Sequence, residues 1–489
     1  MQDSGCVLGI YHLWYDGYDG NSSKQREKRQ VSVSHTPTSA ARRGAPSSPA
    51  HTLRWTMNSS AFIGRRLQAQ GKSLCNGRAH VGMLGTTLYG AEVHFELFDA
   101  GAASSLWAER PLLGMPRAGA MRMPCVSSDL QSLRASYDGL HLEPLFRALR
   151  AHNGRRPFAP PAKGVALLVL ADYANLFHQF GTLVIAWAAL QESLERVPSE
   201  GPNESSSSSS SAAASHVLSI FLLNNATLTP TAAFWSPGLA PRPPTFVRQA
   251  SAELRPATYA RVVVAQPATE SWWWNVWKAD GADRRGTLLP LRSRLTHALL
   301  PPGTAEAQVA ASATDGVADV SGAGERRAPH RTRAIALIVH RPSTADRRIV
   351  NAAELTAALE PVVEAAGLVP RLVDLGALDT RAQLALIQRT GLLVGAHGAG
   401  LLWNLFLPDG VPVIELLNRN NANGYYSNHA RWCRRPYASW QNTQEAAESP
   451  ALDPLTHAPF APFRNHMHVN VTEIAQVVRR ILSSGNRVR

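Results

Sequence analysis

The chain has 489 residues, too many for one compact core, so two domains plus irregular segments are expected. Its 45% hydrophobic content excludes a disordered polymer. The net charge of +13 raises nucleic-acid binding, but the cations are mostly single arginines spread along the chain. No basic tract is dense enough to follow a phosphate backbone, so nucleic acid is set aside as a partner.

In chain order, residues 1–55 are polar and read as a disordered N-terminal segment. Met1 to Cys6 lacks the basic and then apolar order of a signal peptide. No run is long and apolar enough for a bilayer span, so membrane association is expected only through a segment outside this sequence. Residues 56–155 carry no decisive pattern; Val93–Phe98 is expected as a strand and Leu140–Leu149 as a helix. A first α/β domain is expected over 156–301, with strands at Val165–Ala171, His216–Leu223 and Arg261–Val264 and a helix from about Leu176 to Arg196. The serine tract Ser205–Ser211 reads as a loop inside it, and the Ala-, Gly- and Ser-rich stretch 302–330 as a linker.

The stretch 331–489 has the cleaner rhythm and reads as a Rossmann-like domain. Strands are expected at Ala334–Val339, Val369–Leu375, Leu392–Val394 and Val411–Leu416. Between them, Leu355, Leu359, Val362 and Val363 mark one face of a helix from Asn351 to Ala366, which Pro361 is expected to kink or split. A helix follows at Thr380–Arg389, and residues 471–483 close the chain as another.

Cys6, Cys75, Cys125 and Cys433 include no CxxC pair, which argues against zinc; disulfides and free thiols both remain open. Sequons stand at Asn21, Asn58, Asn203, Asn225 and Asn470. The run Ser271–Trp277 holds four tryptophans, and packing against the domain is preferred over a sugar-stacking platform.

The chemistry gathers at Gly395-Ala-His-Gly-Ala-Gly400, between a buried strand and a short helix. Glycines there let backbone N–H groups approach an anion, and a helix N-terminus adds partial positive charge. Gly395, Gly398, Ala399 and Gly400 are therefore candidate anion-binding positions, with His397 set to bond a phosphate or assist a departing nucleotide. Glu415, in the next strand, is expected to accept from a ribose hydroxyl. The glycine order is G-x-x-G-x-G, unlike the dinucleotide fingerprint, so a dinucleotide-dependent oxidoreductase is the weaker alternative. Arg341 follows a strand, and with Arg347 and Arg348 it is expected to neutralise a diphosphate. Asn351 and Glu354 read as a helix cap and its capping-box partner. Asn404 fits either a turn cap or a donor contact.

Leu392–Leu416, the block His340–Leu355 and the shorter Asn175-Leu-Phe-His-Gln-Phe180 together resemble glycosyltransferase family 61, over roughly residues 160–485. The resemblance implies an inverting, GT-B-like enzyme with two Rossmann-like domains about a cleft, the first binding the acceptor and the second a UDP-sugar. It implies transfer of N-acetylglucosamine or a pentose such as xylose to a glycan or glycoprotein hydroxyl in the ER or Golgi lumen. The UDP-sugar is substrate; no cofactor is implied, and the lack of a D-x-D motif agrees with a site that needs no metal. Thr182 stands where the family commonly has an aspartate, and threonine cannot serve as a base. The base is thus left to His178 or to a carboxylate such as Asp172, and a non-catalytic sugar-nucleotide-binding relative is the alternative.

Overall fold

The computed structural model describes residues 71–82, 84–98, 117–137, 142–151, 162–170, 176–195, 218–223, 231–247, 256–268, 271–273, 284–300, 334–342, 346–419, 421, 423–452 and 457–485. The expectations for the N-terminal segment, the serine tract, the linker, Asp172, and Trp274 and Trp277 lie outside these residues.

In chain order the first half gives strands β1 (Ser73–Leu74), β2 (Ala79–Val81), β3 (Gly85–Val93) and β4 (Met121–Met123), helices α1 (Ser127–Ala135) and α2 (Glu143–Ala148), then β5 (Leu149–Ala151) and β6 (Ala162–Val169). Helix α3 (Leu176–Glu195), strands β7 (Leu218–Leu222), β8 (Thr245–Phe246) and β9 (Ala257–Ala265), and helix α4 (Arg285–Leu299) follow. The strands form one mixed sheet in the order β1-β2-β3-β9-β6-β7-β8, with β4 attached to β3 and β5 to β4. Strands β9, β6, β7 and β8 run parallel to one another, whereas β3 pairs antiparallel with β9 and β2 with β3.

Strand alternation divides this sheet into two buried faces. Val165, Leu167, Val169, Ile220, Leu222 and Val263 turn toward α3, and Ala166, Leu168, Phe221, Val262 and Val264 toward Leu88, Leu130, Leu133 and Phe146. A disulfide, Cys75–Cys125, joins the turn after β1 to the segment before α1, and Cys433 is a buried free thiol. Val93–Phe98 departs from expectation: β3 ends at Val93, where its pairing with β9 ends, and Phe95–Leu97 is a 3-10 turn. Its two aromatics, Phe95 and Phe98, are three residues apart and both reach the core, which an alternating strand would not allow. The expected Leu140–Leu149 helix is shorter, because Leu149 already belongs to β5.

The second half continues with β10 (Ile335–His340), α5 (Ala352–Glu364), β11 (Val369–Asp374), α6 (Thr380–Gln388), β12 (Thr390–Ala396), the 3-10 helix Ala399–Phe406, and β13 (Val413–Leu417). Helix α7 (Tyr425–Trp432), strand β14 (Tyr437–Gln441), the short pair β15 (Glu448–Ser449) and β16 (His466–Met467), and helix α8 (Val471–Gly485) complete it. The five long strands form an all-parallel sheet in the order β11-β10-β12-β13-β14. Helix α5 buries Leu355, Leu359 and Val363 with Ile474 and Val478 of α8, and each such side chain contributes about 1.5–3 kcal/mol of burial. Pro361 does not split α5, which runs unbroken to Glu364. Gly367, at φ 77°, ends it, with Leu368 N–H donating to Val363 O at 3.0 Å.

Helix α3 is apolar on nearly every side and buried from Phe177 to Leu190. One side packs beneath the first sheet, and another meets the 3-10 helix Ala399–Phe406 of the second half, as in the 5.3 Å Phe180–Phe406 ring contact. The two sheets therefore share a continuous apolar core through α3 and α4. Arg292 of α4 reinforces the join, donating to Leu407 O at 3.1 Å and to Asp409 at 2.9 Å.

Candidate functional site

Numbered within the second sheet, the strand order is 2-1-3-4-5. The connection from β10 leads to one side and the later strands to the other, so the switch point, where sheets of this kind take their ligands, lies beyond the carboxyl ends of β10 and β12. Arg341 directly follows β10, and His397 and Gly398 directly follow β12. Topology alone thus brings together two stretches of chain more than fifty residues apart.

Gly398 holds φ at 153°, and a Cβ there would overlap Nη2 of Arg341, so the glycine admits the guanidinium as well as the turn. Gly395 and Gly400 pack against Val339, which seats the loop on β10. The element after the loop is a 3-10 helix opening at Ala399 rather than an α-helix.

Arg341 donates from Nη1 to the Asp346 carboxylate at 2.7 Å and to its carbonyl at 2.9 Å. The other carboxylate oxygen of Asp346 meets Arg464 Nε at 2.6 Å and Arg347 at 3.3 Å. Burial raises the Asp346 carboxyl, but the charges of Arg347, Arg341 and Arg464 outweigh it and hold the group well below the usual carboxylate range. One carboxylate therefore faces three guanidiniums, a surplus of positive charge in a shielded position. Burial, and then Arg347, lower the Arg341 guanidinium. Arg347 lies in the left-handed region, φ 53°, with its N–H bonded to Arg464 O, and its buried Nε has no partner among the described residues. A strained non-glycine backbone held by its surroundings is common where a side chain must be aimed. Arg348 is placed apart from the Asp346 ion pairs: its N–H meets His466 Nδ1 at 3.3 Å and its carbonyl accepts from Met467.

His397 is 5% exposed and bonds through Nδ1 to Oε1 of Glu415, while Tyr437 donates to Oε2 of the same carboxylate at 2.5 Å. Burial lowers the His397 pKa; Glu415 raises it, and Arg347 and Arg341 lower it further, leaving the imidazole below its ordinary value. Glu415 was expected to present itself to a ribose. It is instead wholly buried within β13 and engaged at both oxygens, because its register partner in the sheet is Gly395, beneath the loop.

Asn404 lies inside the 3-10 helix, fully buried, with neither end of its amide partnered among the described residues. Asn351 does not cap α5 through its oxygen. That oxygen accepts from Val469 N–H and its amide donates to Val469 O and to Glu354, tying the helix start to the chain before α8. His178 is buried in the first turn of α3 with its ring edge-on to Phe177, and Thr182 bonds the His178 carbonyl at 3.2 Å.

Phe177 in turn meets Tyr425, Tyr426 and His429 of α7, and Tyr426 reaches His397 at 5.2 Å between ring centroids. Trp273 packs on Phe177, Phe180 and His429 and is fully buried, so this tryptophan is part of the seam and not a free platform. Burial among these rings lowers His429 to about 3, which keeps it neutral.

Sequence reasoning missed Asp346, Arg464, Tyr426 and Tyr437. Asp346 carried a signal, a lone acid beside two arginines and five residues after a third. Arg464 carried none, since 118 residues separate it from its partner.

No family model matches the chain. A stretch of 105 residues is 34% identical to protein O-linked-mannose beta-1,4-N-acetylglucosaminyltransferase 2 of Xenopus tropicalis, covering 20% of this chain and 18% of that protein. Another match, 39% identical over 104 residues with the same coverage, is to the EGF domain-specific O-linked N-acetylglucosamine transferase of Rattus norvegicus. The chain resembles glycosyltransferase family 61. The relatives that carry this resemblance are glycosyltransferases, and the chain spans less than a fifth of their length.

Proposed function

We propose that this chain is an inverting glycosyltransferase of GT-B type, moving a sugar from a UDP-sugar to a hydroxyl of a glycan or glycoprotein. The observation that carries the reading is the Asp346 cluster: three guanidiniums around one carboxylate, at the sheet edge where the strand order reverses. Such a surplus is matched by a diphosphate, whose charge grows as it departs. In the reaction the acceptor oxygen bonds to the anomeric carbon and its proton passes to a base. The bond from that carbon to the diphosphate breaks, and its electron pair stays on the nucleotide, facing Arg341 and Arg347. The transferase names of the relatives support the same class.

Residence in the ER or Golgi lumen belongs to this proposal. The Cys75–Cys125 disulfide supports it, because such bonds persist in oxidising compartments. So does the exposed sequon at Asn470. A reading without transfer, as a sugar-nucleotide-binding protein, is favoured only by Thr182, whose hydroxyl is turned onto its own helix.

The experiment is a panel of UDP-sugars, each incubated with the chain and assayed for released UDP with and without glycoprotein acceptors. Acceptor-dependent release of UDP from one donor is the expected result. Saturable UDP binding with no release from any donor selects the non-catalytic reading, and absence of UDP binding removes both.

A further inference from the structure

Glu415 is the only carboxylate among the described residues on β13, and it is wholly enclosed. A carboxylate taken out of water costs several kcal/mol unless its oxygens are bonded. Here one oxygen is met by His397 Nδ1 and the other by the Tyr437 hydroxyl at 2.5 Å. A carboxylate only accepts, so the bond to it fixes the imidazole proton on Nδ1. Nε2 then carries the lone pair and is the ring atom left for a ligand. Tyr437 stands on β14, whose register beside β13 is set by Glu415 pairing with Ser439, and burial followed by Glu415 push its phenol up, so that it remains a donor.

We infer that Glu415 is a positioning residue: it holds His397 with the Nδ1 proton on its carboxylate and Nε2 presented to the sheet edge, and Tyr437 holds Glu415 in turn. The consequence for turnover rests on the proposed glycosyltransferase site, whereas the arrangement of protons is a property of the chain without any ligand. The ring faces Glu415 on one side, Arg341 and Arg347 on another, and Tyr425 and Tyr426 of α7 on a third. Among these groups only Glu415 makes a direct bond to Nδ1 that sets which nitrogen is protonated.

Replacing the carboxylate by its amide gives a specific expectation. In Glu415→Gln the Tyr437 hydroxyl takes the amide oxygen, which turns the NH2 toward Nδ1 and forces the ring proton to Nε2. Tyr437→Phe alone keeps the Nδ1 proton. The test is 15N-histidine NMR of the unliganded chain, in which the His397 signals are identified by their loss in His397→Ala. The expected sequence is Nδ1–H in the parent, Nε2–H in Glu415→Gln, and Nδ1–H in Tyr437→Phe. An Nε2–H ring in the parent overturns the inference even if a variant does not fold. In the same Glu415→Gln protein, UDP affinity by calorimetry is expected within about 3-fold of the parent, while turnover falls on the order of 10²-fold or more. Loss of UDP binding in the parent itself sinks the glycosyltransferase reading and leaves the tautomer result standing.

Discussion

The carboxyl edge of the second sheet and the seam between the sheets are both buried, yet they are built in opposite ways. At the seam, Phe177, Phe180, Trp273, Phe406 and Trp432 meet ring to ring, and His429 is held neutral among them. At the sheet edge, Arg341, Arg347 and Arg464 crowd one aspartate, and a buried guanidinium nitrogen of Arg347 has no partner among the described residues. What separates the two is charge: the sheet edge gathers three guanidiniums on one carboxylate, where an anion is expected, and the seam is packed from neutral rings that hold the molecule together.

Breaking either region separates the two roles. The largest effect is expected at the seam: Trp273→Ala should lower stability by about 3–5 kcal/mol in urea unfolding, by removing a fully buried indole. At low temperature, where it still folds, UDP affinity should be unchanged. A fall in UDP affinity without a fall in stability would place Trp273 in the site.

Next comes the acid sensitivity of the arginine cluster. Asp346 titrates below its ordinary value of 3.8 in the folded chain, so it binds protons less readily there than when unfolded. Its stabilisation is present above that ordinary value and is lost as pH falls toward the lower folded one. Asp346→Asn should therefore reduce stability at neutral pH and flatten its dependence below about pH 4. Urea midpoints at several acid pH values measure this, and parallel curves for parent and variant would show that the ion pairs contribute nothing.

A smaller effect is expected at His397. His397→Ala should lower turnover on the order of 10²-fold while changing UDP affinity little, as for a group that acts in the transition state. Equal losses in both would make it a simple binding residue. The smallest effect concerns metal: UDP affinity should stay within about 2-fold in EDTA, because guanidiniums carry the diphosphate charge. Recovery of a lost affinity by manganese would contradict that.

Much of this contrast was legible in the sequence, for physical reasons. The strands β10, β12 and β13 are short apolar runs ended by polar residues, and the helix between β10 and β11 has a clear apolar face, so the glycine loop could be placed at a strand's end. Arg341 was legible for the same reason. The role of Glu415 was not: alternation says that a strand residue faces one side, but not that Tyr437 waits there on another strand. Helix α7 and β14 were hidden behind the Asn-rich stretch from Asn418 to Gly424, which reads only as loop. The antiparallel pairing of β2 with β3 was equally silent, because Gly85–Val93 alternates small, polar and apolar residues without a strong period.

The central claim is that the edge between β10 and β12 binds a diphosphate through Arg341, and calorimetry with UDP on the parent and on Arg341→Ala tests it most directly. Removing one charge that pairs with a shielded phosphate should cost about 2–5 kcal/mol of binding, with the variant still folded as judged by circular dichroism. A folded Arg341→Ala protein that binds UDP as tightly as the parent would contradict the account.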